Sequence, residues 1–165
     1  MKAVIIYYSL EGNTDYVANL MAQNLNADTI KLQPSKEIPK EGFKKFLWGG
    51  KSVVFGEKPE LLNGNIDIDK YDTIILGTPI WAGSYTPPIN TFLHDNRFSE
   101  KEIYLFACHL GGGAEKCFAK LKERLKGNTV KGTMDVSNPA SKDKKEIGDI
   151  VDEFCKRIRS NSSAT

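Results

Sequence analysis

Three runs in this chain are apolar almost without a break: Ala3-Val4-Ile5-Ile6-Tyr7-Tyr8, Tyr71-Asp72-Thr73-Ile74-Ile75-Leu76-Gly77-Thr78 and Glu102-Ile103-Tyr104-Leu105-Phe106-Ala107-Cys108. A strand with one wet face alternates apolar and polar residues, whereas a strand covered on both faces does not. Each run therefore has to be covered twice, and the cover must come from the segments between them. Those segments read as helices. Val17, Leu20, Met21 and Leu25 recur at helical spacing over residues 13–25. Thr86-Pro87-Pro88 places a hydroxyl at a cap and proline where a missing N–H costs nothing, and Ile89, Phe92 and Leu93 continue that helix. Phe118, Leu121 and Leu125 share one face of residues 114–126, and Ile147, Ile150, Val151, Phe154 and Ile158 one face of 142–158. Shorter strands are expected over 28–32 and 129–136, and a further helix near 40–48. The pattern is five strands, each followed by a helix. It predicts a doubly wound α/β fold, a three-layer sandwich with a parallel sheet between two helical layers.

The 165 residues suffice for one domain, taken as residues 1–159, with the polar tail 160–165 expected to be disordered. A net charge of +2 is too small to suggest a nucleic-acid partner. Three cysteines without a CxxC pair and only two histidines argue against zinc and against a disulfide scaffold, so a cytoplasmic setting is expected. The first apolar run is too short for a signal-peptide core, and no run approaches the ~18 apolar residues that would span a bilayer.

Doubly wound sheets bind ligands at the carboxyl ends of strands, where strand order reverses. Three loops fall there. After the first strand come Ser9, Leu10, Glu11, Gly12, Asn13 and Thr14, with a turn glycine, two hydroxyls and no Lys or Arg. Asn13 or Thr14 is expected to cap the following helix. The loop is either a helix cap or an anion cradle built from backbone N–H groups and hydroxyls. After the third strand come Thr78, Pro79, Ile80, Trp81, Ala82 and Gly83, where Trp81 is either a core plug or a stacking face for a planar ring. After the fourth come Cys108, His109, Leu110, Gly111, Gly112 and Gly113, whose glycines are either a loose turn or a close backbone approach to a ring. A Cys108–His109 nucleophile is disfavoured, because neighbours on a strand end point in opposite directions and no third group completes a triad. Together the loops describe a ligand with a phosphate at one end and a flat ring at the other.

On these residues the chain resembles the flavodoxin family. Ser9, Gly12, Asn13 and Thr14 are similar to that family's phosphate loop, with Glu11 where a threonine is common. Residues 79–83 resemble its first ring-flanking loop, and 108–113 occupy the place of the second, where an aromatic residue is common. The resemblance implies strand order 2-1-3-4-5 and noncovalently bound flavin mononucleotide (FMN). It further implies a monomeric carrier that shuttles electrons between redox partner proteins. An NAD(P)H-dependent FMN or quinone reductase of the same fold is the alternative. Gly83 is expected to allow a peptide reorientation toward the flavin ring, and the ring's second face to be covered by His109 or Leu110 or to be open. A receiver domain or a small phosphatase is set aside, since neither the clustered aspartates nor the Cys/Arg pair is present. Residues 31–65 are longer than the family's usual second crossover. They read as an amphipathic helix burying Phe43, Phe46 and Leu47, in preference to a lid or partner surface.

Overall fold

The computed structural model describes residues 2–36 and 50–162. β1 (Ala3–Tyr7), β2 (Asp28–Lys31), β3 (Thr73–Pro79), β4 (Glu102–His109) and β5 (Thr129–Ser137) form one sheet. Its order is β2-β1-β3-β4-β5 and the pairs β1–β2, β1–β3, β3–β4 and β4–β5 are parallel. The expected architecture and strand order are therefore both present. Four helices lie wholly within the described residues and flank the sheet: α1 (Asn13–Leu25), α2 (Pro87–Asp95), α3 (Ala114–Arg124) and α4 (Lys144–Ser162), besides the helical residues 50–54.

The apolar runs are buried on both sides, as their lack of alternation requires. Val4, Ile6, Ile74, Leu76, Ile103 and Leu105 face α2 and α3 through Ile89, Phe92, Phe118 and Leu121. Ile5, Tyr7, Ile75, Tyr104 and Phe106 face α1 and α4 through Val17, Met21, Val151 and Phe154. The period of two thus persists, but as a choice between two cores rather than between core and water.

One boundary and one capping bond differ from expectation. The tail does not begin at Ser160, because α4 continues to Ser162. Asn161 Nδ2 donates to the Tyr104 hydroxyl at 3.1 Å and Ser162 Oγ to the Ile158 carbonyl at 2.9 Å, so short polar residues extend the helix by local bonds. Thr86 sits at the cap of α2, but its side chain makes no capping bond and instead meets Thr78 Oγ1 at 3.2 Å.

The helix expected near 40–48 lies outside the described residues. The base of that long connection is tied down. Ser35 N donates to Glu60 O, Leu62 N to Gln33 O, and Asn63 Nδ2 to Lys31 O, each within 2.7–2.8 Å. Residues 50–54 are helical, and Asn90 Nδ2 and Thr91 Oγ1 hold the following backbone against α2 through Gly56, Glu57 and Pro59 carbonyls.

Candidate functional site

The ends of β1, β3 and β4 bring the three loops to one edge of the sheet. In the first, Gly12 rather than Asn13 or Thr14 occupies the cap of α1, with φ +94° and no side-chain capping bond. Only glycine takes that left-handed conformation without strain. Its N–H is held by Ser9 Oγ at 3.2 Å, and the first helical bond runs from Tyr16 N to Gly12 O at 2.9 Å. Helix geometry leaves the N–H groups of Asn13, Thr14 and Asp15 without an intrahelical acceptor. Thr14 is 1% exposed, and its hydroxyl is buried without a hydrogen-bond partner among the described residues. Leu10 packs on the core and Glu11 is exposed.

Asp15, in the first turn of α1, would oppose an anion there if it faced it. Instead its Oδ1 accepts from the Tyr7 hydroxyl at 2.8 Å and pairs with Lys31 Nζ at 3.1 Å. Burial pushes the Asp15 carboxyl up, but the Tyr7 and Lys31 hydrogen bonds and the Lys31 charge outweigh it and the net shift is downward. Burial, then Asp15, push the Tyr7 hydroxyl well up, so it stays a donor.

In the second loop, Trp81 and Ser84 exchange backbone bonds of 3.0 and 2.9 Å around a two-residue turn, with Ala82 at φ +48° and Gly83 at φ +66°. Trp81 stands edge-on to Tyr8, ring centroids 5.9 Å apart and planes at 90°. It is half-buried, so part of the indole is anchored on the core and part faces outward. Thr78 is committed internally, accepting from Thr86 N at 3.2 Å and donating to Pro79 O at 2.9 Å. Ile80 N donates to Cys108 O at 2.9 Å, which joins the second loop to the third. A Cβ on Gly113 would lie 3.5 Å from both Gly83 Cα and Ile80 Cγ2, so the two loops meet backbone against backbone. A β-branched residue at Gly83 would be strained by its positive φ and would crowd Lys116 Cδ at 3.2 Å. Substitution there therefore tests the turn as well as any peptide reorientation.

In the third loop, Gly113 caps α3 in a left-handed conformation and Gly111 is exposed. The His109 side chain turns back to accept from Gly112 N at 2.8 Å, and Leu110 is 68% exposed. Cys108 points the other way, into the core beside α1. Burial pushes its thiol up to about 12, outweighing the downward pull of the Thr14 hydroxyl beside it. Burial likewise raises Cys117 to about 12 and Cys155 to about 11. None is a nucleophile at neutral pH. Iodoacetamide at pH 8 is expected to leave the native protein unmodified and to label all three cysteines once it is unfolded, as intact mass will report. The parts that sequence reasoning missed are Tyr8 behind Trp81, the Lys31–Asp15–Tyr7 pairing and Asp135 beside His109.

Fold and site together define a doubly wound α/β protein whose ligand edge carries an open helix start and a half-exposed tryptophan. The chain belongs to the flavodoxin family, whose sequence profile matches residues 2–153. Among solved structures it is similar to a flavoprotein from Lactobacillus acidophilus NCFM crystallised with FMN. That pair shares 24% identity and a TM-score of 0.73, over 81% of this chain and 92% of the other. A candidate flavoprotein from Bacteroides uniformis matches at 22% identity and TM-score 0.75, covering 94% and 97% of the two chains. Oxidised flavodoxin 2 from Bacillus cereus matches at 16% identity and TM-score 0.61, covering 98% and 99%. A search of curated protein sequences returns no match. No helix among the described residues is long and apolar enough to cross a membrane.

Proposed function

We propose that this protein is an electron carrier that binds FMN noncovalently and passes electrons between redox partner proteins. The observation that carries the reading is Thr14, whose buried hydroxyl has, among the described residues, only the weakly hydrogen-bonding Cys108 thiol beside it, at a helix start where three N–H groups are also free of intrahelical acceptors. A buried hydroxyl without a partner costs about 1–3 kcal/mol, and a phosphate oxygen would satisfy it. The residues fit the whole cofactor. Ser9 and Gly12 shape the loop, and Thr14 with the N–H groups of residues 13–15 holds the phosphate through the helix dipole without a countercharge. Trp81, braced on Tyr8, offers the ring a stacking face.

When bound, the flavin supplies the redox chemistry, and the protein sets its surroundings. Lys31, the cation bonded to the first turn of α1 among the described residues, is already engaged by Asp15. The same reading gives the protein cytoplasmic redox partners and a monomeric form.

The test is reconstitution with FMN, removal of the excess, and a visible spectrum. Retained flavin bands support the reading, and a folded, colourless protein overturns it. Steady oxidation of NADH by the reconstituted protein, without a partner, would move it from carrier to reductase. Trp81→Ala should weaken FMN and riboflavin alike by about tenfold, because stacking concerns the ring they share. Undiminished affinity for both in a fluorescence titration would remove the indole from the site.

A further inference from the structure

His109 ends β4 at the ligand edge, yet its side chain is only 10% exposed. Nδ1 accepts from Gly112 N at 2.8 Å, which requires a lone pair there and places the ring proton on Nε2. Nε2 lies 3.3 Å from Asp135 Oδ2, so β5 supplies the acceptor that fixes this tautomer. The His109 carbonyl is also taken, by Asn138 N at 2.7 Å. The ring therefore closes His109-Leu110-Gly111-Gly112 into a turn with Leu110 at its outer side, and Gly113 then packs on Gly83.

We infer that His109 is a positioning residue. Its imidazole clamps the third loop in the form that meets the flavin ring, and Asp135 orients the clamp. This rests on the FMN reading above. Glycines at 111, 112 and 113 give the loop wide backbone freedom, and the Nδ1 bond removes it before the ligand arrives. The clamp also decides what flanks the ring: His109 is turned inward, and Leu110 is the side chain left outward.

The two ring nitrogens can be separated by substitution. Asn places Oδ1 where Nδ1 stood and keeps the acceptor for Gly112. Gln reaches toward Asp135 but offers no acceptor at the Nδ1 position. In FMN titrations followed by visible absorption and circular dichroism, His109→Asn should stay within about threefold of the unaltered protein. His109→Gln and His109→Ala should bind about tenfold more weakly, with an altered flavin circular-dichroism band. Wild-type behaviour of His109→Gln, or a His109→Asn as weak as His109→Ala, would overturn the clamp. Hydrogen exchange at the Gly112 amide, measured by NMR without flavin, gives an independent reading. It should be slow in the unaltered protein and His109→Asn and fast in the other two, and equal rates in all four would sink the inference. If the unaltered protein retains no FMN, the FMN reading fails, and the exchange rates alone decide whether the clamp exists.

Discussion

Replacing Thr14 by valine is expected to stabilise the ligand-free protein and to weaken its hold on FMN. The two effects have opposite signs because they come from one atom. Thr14 Oγ1 is buried with only the Cys108 thiol, a weak partner, beside it among the described residues, so the fold carries most of its desolvation cost. Valine keeps the shape and removes that cost, a gain of about 1 kcal/mol or more. For a chain of this size that is roughly 2–4 °C in Tm. With FMN present the hydroxyl would donate to a charged oxygen, a bond of about 1.5–3 kcal/mol, so affinity should fall about ten- to a hundredfold. Riboflavin has no phosphate and should bind both proteins equally. Ligand stabilisation grows as the logarithm of concentration over Kd, so the melting curves should cross as FMN is added. Scanning calorimetry with and without FMN measures all of this. A Thr14→Val protein less stable than its parent, or one that loses riboflavin as much as FMN, would make Thr14 an ordinary core contact.

The sheet was legible in the sequence because both its faces are buried. Ile5 and Ile6 serve different cores, yet each has to be apolar, so β1 shows as an unbroken run. The clustering of the candidate loops was legible at coarser grain. Residue types placed the three loops at one edge, but not the bonds that commit them. Thr78 read as a site residue and Thr86 as a cap; Thr86 does hold the cap position, but the two buried hydroxyls bond one another across the β3–α2 connection, which spacing does not reveal. Gly12 took the cap from Asn13 and Thr14 because a left-handed residue turns the chain into the helix by itself, leaving no side-chain geometry for a cap. His109 read as one of two candidate ring covers, beside Leu110. The pattern His-x-x-Gly at a strand end was the available signal for its inward bond, but that bond depends on Gly112 standing at φ +96°, which spacing does not specify. The end of α4 was missed for a similar reason: polar composition suggested disorder, and the bonds from Asn161 and Ser162 are made by short polar side chains.

The largest loss of stability should come from Gly77→Ala, one methyl group in the middle of β3. Gly77 pairs with Phe106 of β4 in the sheet register, and the Phe106 ring lies across the place where a side chain would be. A Cβ on Gly77 would fall 2.1 Å from Phe106 Cζ, 2.2 Å from Cε1 and 2.8 Å from Cε2. The ring is 0% exposed and packed in the same core as Tyr7, Ile75 and Met134, so it cannot retreat without displacing them. Overpacking of this kind costs about 1–3 kcal/mol and more where nothing can move. A loss near 3 kcal/mol or above would lower Tm by about 10 °C. Phe106→Leu should also destabilise when made alone, by leaving space, but should restore part of the stability of Gly77→Ala, because a smaller side chain yields to the new methyl. Two harmful changes that partly cancel are the signature of direct contact in a double-mutant cycle. A double variant no more stable than Gly77→Ala would mean the ring is not the obstacle. The same pairing sets where β3 and β4 end, and so where Trp81 and the His109 turn stand relative to each other. A Gly77→Ala protein that still folds should therefore bind FMN more weakly although no site residue has changed, because the clash displaces the two strand ends that carry the ring-flanking loops.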